Sequence, residues 1–236
     1  MKIVKARLIE RICRAPGIES FRFVPEEKIE FVAGQFLQVM FDPAHKDNKD
    51  LNKYLSFSCS PCKPYIEVTK RLSSSVFSQR LRELHKGDEV SFKAPLGNCV
   101  FAEQHRKIAF LIGGIGITPV ISIIEYIIDK KFDTDVALFY SNRTDEDIAF
   151  QKELESWQAV DSRLRVFFTV TDCQPKDRRC IFGFINKQLL QQQLADYAER
   201  VFFIFGPPKM VEAMTALCLE IGCSKENIKT ESFIGY

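Results

Sequence analysis

The sequence predicts two domains of different construction. A six-stranded antiparallel β-barrel is expected over residues 1–104, and an α/β domain on a parallel sheet over residues 105–236. Three observations carry this. Up to about residue 104 the chain reads as short β-branched and aromatic runs separated by Gly/Pro/Asn/Asp clusters. From about residue 105, near-continuous apolar strands alternate with helical patterns, which indicates a parallel sheet covered on both faces. The length of 236 residues accommodates two domains of ordinary size.

The barrel strands are read at KIVKARLIE, SFRFV, QFLQVMF, YLSFSCS, YIEVTK and DEVSFKA, with APG, FVAG, DPAHKDNKDLN and SPCKP as the breaks. One short helix, SVFSQRLRELHKGD, interrupts them; Phe77, Leu81 and Leu84 share a face, and Gly87 closes it. In the second half the strands are KIAFLI, DVALFY, RLRVFFTV and RVFFIF, with a last short one at NIKTESF. The helix after GGIGITP carries Val120, Ile123, Ile124, Ile127 and Ile128 at helical spacing. The helix after GPPK carries Met210, Ala213, Met214, Leu217, Cys218 and Ile221. The loops GGIGITP, SNRTDED, TVTDCQPKD and FGPPKM all follow strands, so they collect at the carboxyl edge of the sheet, where such sheets bind ligands.

The strongest local signal is Gly114-Ile115-Gly116-Ile117-Thr118-Pro119. Glycine permits a tight turn and close approach of a ligand to the backbone. The helix that follows directs its unpaired N–H groups and positive dipole end at that ligand, which favours an anion. Pro119 is expected at the first helical position, where it sacrifices no hydrogen bond. The pattern departs from the G-x-G-x-x-G dinucleotide fingerprint at its last position.

Composition narrows the function classes. The chain is 46% hydrophobic and 27% charged, as soluble globular proteins are. A net charge of +2 gives no footprint for nucleic acid. The apolar runs are far short of a membrane span, and with no signal peptide visible the expected location is cytoplasmic. Among the 8 cysteines, Cys59 and Cys62 form a C-x-x-C with no second pair, so no metal site is expected. His45, His85 and His105 sit singly in polar segments, as surface residues do.

In their order along the chain these motifs resemble the ferredoxin–NADP⁺ reductase family of flavoproteins, and the likeness spans nearly the whole sequence. KYLSFSCSP resembles the R-x-Y-S flavin motif in the form Lys53-Tyr54-Leu55-Ser56. In KRLSSSVFSQRLRELHKGDEV, Ser78 stands at the family's G-x-x-S serine, with Ser75 at its glycine. APLGNCVF resembles the close of the barrel. GGIGITP, YSNRTDEDIAF, FGPPKM and the terminal ESFIGY each resemble their counterparts.

The resemblance implies an FAD-dependent oxidoreductase with NADH or NADPH as co-substrate. Ser56 would reach flavin N5, Lys53 would neutralise the pyrophosphate in place of arginine, and Leu55 would lie against the ring; Tyr54 belongs to the same cofactor-binding motif but points to the other face of a regular strand. Leu55 replaces the usual tyrosine and offers neither stacking nor a hydroxyl. Val68, Thr69 and Lys70 on the next strand, and Ser75, Val76, Phe77 and Ser78 at the short helix, complete the expected FAD site. Phe233 or Tyr236 would cover the ring, and Glu231 would orient nicotinamide or relay protons. For the nucleotide, Gly114, Ile115, Gly116, Thr118 and Pro119 would cradle the pyrophosphate. Ser141, Asn142 and Arg143 would meet the adenosine 2′ position. Gly206, Pro207, Pro208 and Met210 would pass beside nicotinamide, with Phe205 where many relatives place a cysteine. Arg143 suits a 2′-phosphate, whereas Asp172 and Phe184 do not, which tilts the choice toward NADH.

The implied reaction is hydride transfer from nicotinamide C4 to flavin N5, then electron delivery to a separate ferredoxin, flavodoxin or oxygenase component. The sequence lacks the C-x4-C-x2-C run of a fused iron–sulfur domain. Two alternatives stay open: a reductase of free flavin or another small acceptor, and an FAD-binding electron-transfer subunit of a larger complex. The oligomeric state is not readable.

Overall fold

A 14-residue strand, β1 (Lys2–Ala15), organises the N-terminal sheet. Val4, Ala6 and Leu8 are buried at every second position while charged residues occupy the other face. β1 pairs antiparallel with β2 (Ile18–Pro25) on one side and β6 (Glu89–Leu96) on the other. Register shifts at Leu8/Glu10 and Cys13/Ala15 bend it, as bulges do. With β3 (Phe36–Met40), β4 (Asn52–Ser56) and β5 (Ile66–Arg71), the order is β4-β3-β6-β1-β2-β5. The sheet's two ends meet just after β4: Phe57 bridges Val68, and the Ser58 amide donates to the Glu67 carbonyl at 2.8 Å. This is the antiparallel six-stranded barrel the sequence predicts.

Its core holds Leu8, Phe21, Phe23, Leu37, Val39 and Phe92, with Phe77 and Leu81 contributed by α1 (Val76–Glu83). The helix is shorter than its sequence pattern. Leu84 leaves helical geometry, the His85 amide turns onto the Asp88 carboxylate at 2.8 Å, and Gly87 at φ +102° sends the chain back along β1. A buried charge cluster lines the barrel wall. Glu67, 2% exposed, accepts from Arg14 at 2.8 Å and from Arg22 at 2.7 Å, and Arg22 also stacks over Tyr65.

The second sheet is parallel, in the order β10-β9-β8-β7-β11-β12. Its strands are β7 (Lys107–Gly113), β8 (Asp135–Asn142), β9 (Leu164–Val170), β10 (Ile181–Phe182), β11 (Val201–Gly206) and β12 (Ile228–Ser232). α2 (Ile117–Lys130), α3 (Gln151–Val160), α4 (Lys187–Gln193) and α5 (Pro208–Glu220) connect them. One face of the sheet, with Ala109, Leu111, Phe139, Phe202 and Ile204, packs with Leu190 of α4 and Val211 and Cys218 of α5. α3, α4 and β10 have no counterpart in the sequence reading. β10 is two residues long and exposed, and only Leu154 of α3 is buried, so neither produces an apolar period.

The structure, a computed structural model, describes residues 2–233. It forms two compact units. One holds the residues to Phe101 together with Thr118–Lys130, and the other holds Ala102–Ile117 together with the residues from Lys131 on. α2 therefore groups with the barrel. Among the described residues no helix is long and apolar enough to cross a membrane.

Candidate active site

In the barrel unit, β4 carries the flavin-motif residues. Alternation along the strand separates them: Tyr54 is 60% exposed and meets Phe36 edge-on, whereas Leu55 packs against the barrel core. Ser56 is buried at the strand's end. On β5, Val68 lies in the core, and the Thr69 hydroxyl is already engaged, with Ser20 at 2.6 Å and Ser58 at 2.7 Å. Lys70 is the part of this triplet with a partly exposed side chain. Burial first, then the neighbouring charge of Lys53, pulls its pKa below the usual lysine value. Lys53 on β4 and Lys70 on β5 thus sit near enough for one charge to act on the other, and a pair of cations would suit a pyrophosphate.

The N-terminus of α1 offers a second anion-compatible feature. Ser75 caps the helix by accepting from the Ser78 amide at 3.3 Å, and its hydroxyl lies 3.1 Å from those of Ser73 and Ser78. Val76 is 50% exposed, so the first turn is open to a ligand. The ring of Phe77 is fully buried, which leaves only its backbone for such contact.

In the second unit the glycine turn has a defined physical cause. β7 runs into a 3₁₀ turn, Gly114–Gly116, and α2 begins at Ile117. Pro119 is therefore not the first helical residue, as the pattern suggests, but the third. It still falls within the first turn, where backbone N–H groups lack intrahelical partners. Gly114 has φ +52° with open space where a side chain would point. Gly116 is different: a Cβ there would stand 2.6 Å from the Phe205 carbonyl oxygen and 2.8 Å from its carbon. Glycine lets the turn after β7 lie directly on the carboxyl end of β11. Met210 packs its sulfur against Gly113 from the first turn of α5, which opens at Pro207-Pro208. Ile115, Thr118 and Pro119 are buried around the turn.

Ser141 and Asn142 end β8, and Ser141 is in register with Gly113. Asn142 is 6% exposed, yet neither its amide nitrogen nor its oxygen has a hydrogen-bond partner in the protein. A buried carboxamide without partners is costly. At the carboxyl edge, beside the glycine turn, it suits a polar ligand such as a dinucleotide. Arg143 is exposed; its carbonyl accepts from the Asp172 amide at 2.9 Å, so the two residues are backbone neighbours.

On the edge strand β12, Glu231 pairs in register with Phe205 of β11, so these two sequence candidates share one sheet face. Phe205 is fully buried, and burial lifts the half-buried Glu231 carboxyl above the usual glutamate range. The Phe233 amide donates to the Gly206 carbonyl at 3.0 Å, tying Phe233 to β11. Tyr236 lies outside the described residues. His105 is not the surface residue its polar neighbours suggest: it is half-buried edge-on to Phe203, and burial and then Lys229 lower its pKa. The sequence reading passes over Glu125, Asp129 and Lys63, whose acid–base spacing is too ordinary to stand out. Among the described residues no His/Cys/Asp/Glu cluster could hold a metal.

Comparison with known proteins agrees with both units. Residues 110–216 match the family model for the oxidoreductase NAD-binding domain. The chain is 33% identical over 185 residues to NADH-cytochrome b5 reductase 2 of Pyricularia oryzae, covering 76% of this chain and 56% of that protein. It is 33% identical over 147 residues to NADH-cytochrome b5 reductase 1 of Dictyostelium discoideum, covering 61% and 51%. The chain thus spans about half the length of these curated relatives. In fold it is similar to the FAD/NAD-binding domain of nitric oxide dioxygenase from Vibrio cholerae, with TM-score 0.86, 17% identity and 98% of each chain covered. A ferredoxin NADP⁺ reductase from Neisseria gonorrhoeae solved with FAD and NADP gives TM-score 0.83 at 19% identity, covering 98% of this chain and 99% of that one. Residues 110–216 are thus similar to an oxidoreductase NAD-binding domain, and the six-stranded antiparallel barrel followed by a parallel sheet is the two-domain fold of these solved FAD- and nicotinamide-nucleotide-binding structures.

Proposed function

We propose that the chain is an NADH-oxidising flavin reductase module that passes electrons to a separate redox protein. The observation that carries this is the pairing of two anion-compatible sites on one chain. One is the Lys53/Lys70 and Ser75 surface of the barrel; the other is the Gly114–Gly116 turn with the partnerless Asn142. FAD held by these residues would supply an acceptor for the nicotinamide hydride that can also pass electrons on.

The chain's own residues have narrower tasks. Ser56 offers a hydroxyl to the flavin edge. Lys53 supplies charge without the two-pronged grip of arginine. Leu55 would give the ring an aliphatic contact, and Tyr54, on the opposite face of the strand, cannot take its place. Glu231, whose carboxyl burial lifts above the usual glutamate range, is the candidate to accept or pass on a proton. Phe233 and Tyr236 are the candidates to shield the ring. Asp172, beside Arg143, supports NADH over NADPH because a carboxylate accepts from a ribose hydroxyl and repels a 2′-phosphate.

Lys53→Met is expected to weaken FAD binding about tenfold, the loss of one charge-assisted phosphate contact, as read by flavin fluorescence titration. Unchanged affinity would remove Lys53 from the pyrophosphate site. The acceptor is tested by NADH oxidation with FAD-loaded protein and, in turn, ferredoxin, flavodoxin, cytochrome b5 and free riboflavin. Turnover with a protein acceptor supports the proposal. Turnover with riboflavin alone makes the chain a small-acceptor reductase.

A further inference from the structure

The segment that leaves Ser56 does not run free to β5. Beyond the Phe57–Val68 bridge it turns at Ser60, whose amide donates to Glu125 Oε2 of α2 at 2.7 Å. Three residues on, Lys63 Nζ lies 3.2 Å from Glu125 Oε1 and 3.1 Å from Asp129 Oδ1. Glu125 and Asp129 are one helical turn apart, so a single face of α2 presents both carboxylates. All four residues belong to the barrel unit. An exposed ion pair would contribute little. Here Ser60 is fully buried, the Glu125 side chain is 17% exposed and the Lys63 side chain 25%. Burial pushes the Glu125 carboxyl up, and the Ser60 amide and Lys63 oppose that.

The other end of α2 is the glycine turn itself, continuous in backbone with Gly116. The helix that opens at the nucleotide turn is therefore fastened, at residues 125 and 129, to the loop that follows the flavin-motif strand. We infer that Lys63, Ser60, Glu125 and Asp129 form a positioning latch that holds this loop on α2 and so sets the rate at which bound nucleotide reduces the flavin. The inference rests on the reductase reading above.

The test uses the FAD-loaded protein and its Lys63→Met, Glu125→Leu and Lys63→Arg variants. Anaerobic stopped-flow separates the reduction rate constant at saturating NADH from the nucleotide dissociation constant. The first two variants are expected to reduce at least tenfold more slowly, with nucleotide affinity within twofold, because small misplacements of reacting groups are costly. Lys63→Arg, which can bridge both carboxylates, should stay within threefold of wild type. Hydrogen exchange of the flavin-free Lys63→Met protein should speed up together in residues 58–65 and 118–130, and not in β1. Lys63→Met retains the stem's apolar packing, so it reports even if Glu125→Leu does not fold. A lowered melting temperature with unchanged reduction rate would overturn the latch and leave an ordinary stabilising contact. Exchange unchanged in either segment would also overturn it. Wild-type flavin reduced by dithionite but not by NADH would instead mean that the reductase reading had failed, and the latch with it.

Discussion

Gly116→Ala is expected to cut NADH-driven flavin reduction by a hundredfold or more while the barrel keeps its FAD. A Cβ at this position would stand 2.6 Å from the Phe205 carbonyl oxygen, 2.8 Å from the carbonyl carbon and 3.1 Å from the Gly206 nitrogen. All three are backbone atoms at the end of β11, so no side chain can rotate away. The turn and the end of β11 must separate by a good fraction of an ångström, and both carry residues proposed to hold the nucleotide. Misplacement of that order costs about 10² in rate. Gly114→Ala is the control. It meets nothing within 4 Å, and its φ of +52° costs about 1–2 kcal/mol in strain. Stopped-flow rates for the two variants, with FAD content from absorbance, check the contrast. A Gly116→Ala rate within threefold of wild type would mean that the close approach is only packing.

Arg200→Met is expected to lower unfolding free energy by about 3–5 kcal/mol, the cost of breaking a buried ion pair from one side. Arg200 is 1% exposed. It binds the Asp196 carboxylate through Nε at 2.8 Å and Nη2 at 3.0 Å, meets Asp135 at 2.6 Å, and donates to the Ile108 carbonyl at 3.0 Å. One guanidinium thus joins the starts of β7, β8 and β11. The same clamp sets an acid limit. Burial opposes ionisation of Asp196, but the Arg200 hydrogen bonds and Lys107 outweigh it and hold the pKa at about 2. A depressed carboxylate stabilises the fold above its unfolded pKa, and that stability drains away as pH falls from about 4 to 2. The contribution is about 2 kcal/mol. Denaturant titrations across that range should show the acid loss in wild type and a smaller one in Arg200→Met. A variant as stable as wild type would show that the carbonyls and carboxylates find other partners.

Much of this architecture is legible in the sequence because it follows from burial. Strands β7, β8, β9 and β11 of the second sheet are apolar runs, and the barrel strands alternate, as Val4, Ala6 and Leu8 do. The glycine turn is legible as a motif, but not its reason. That Gly116 serves the Phe205 backbone depends on a turn meeting a strand end 89 residues away. Pro119 is misplaced by two positions because a 3₁₀ turn precedes the helix, and hydrogen-bond pattern leaves no mark on composition. β10 escapes because two exposed residues have no period. Glu67 reads as one acidic residue in a strand; only its register opposite Arg22 explains its burial. Lys63, Glu125 and Asp129 are commonplace until the fold brings loop and helix together.

The central claim is that nucleotide reduces a flavin held by this chain. It is tested most directly by mixing the FAD-loaded protein anaerobically with NADH, and separately with NADPH, in a stopped-flow spectrophotometer. The account predicts loss of the oxidised-flavin band with both phases complete, faster with NADH. A flavin band that dithionite bleaches and neither nucleotide does would contradict it.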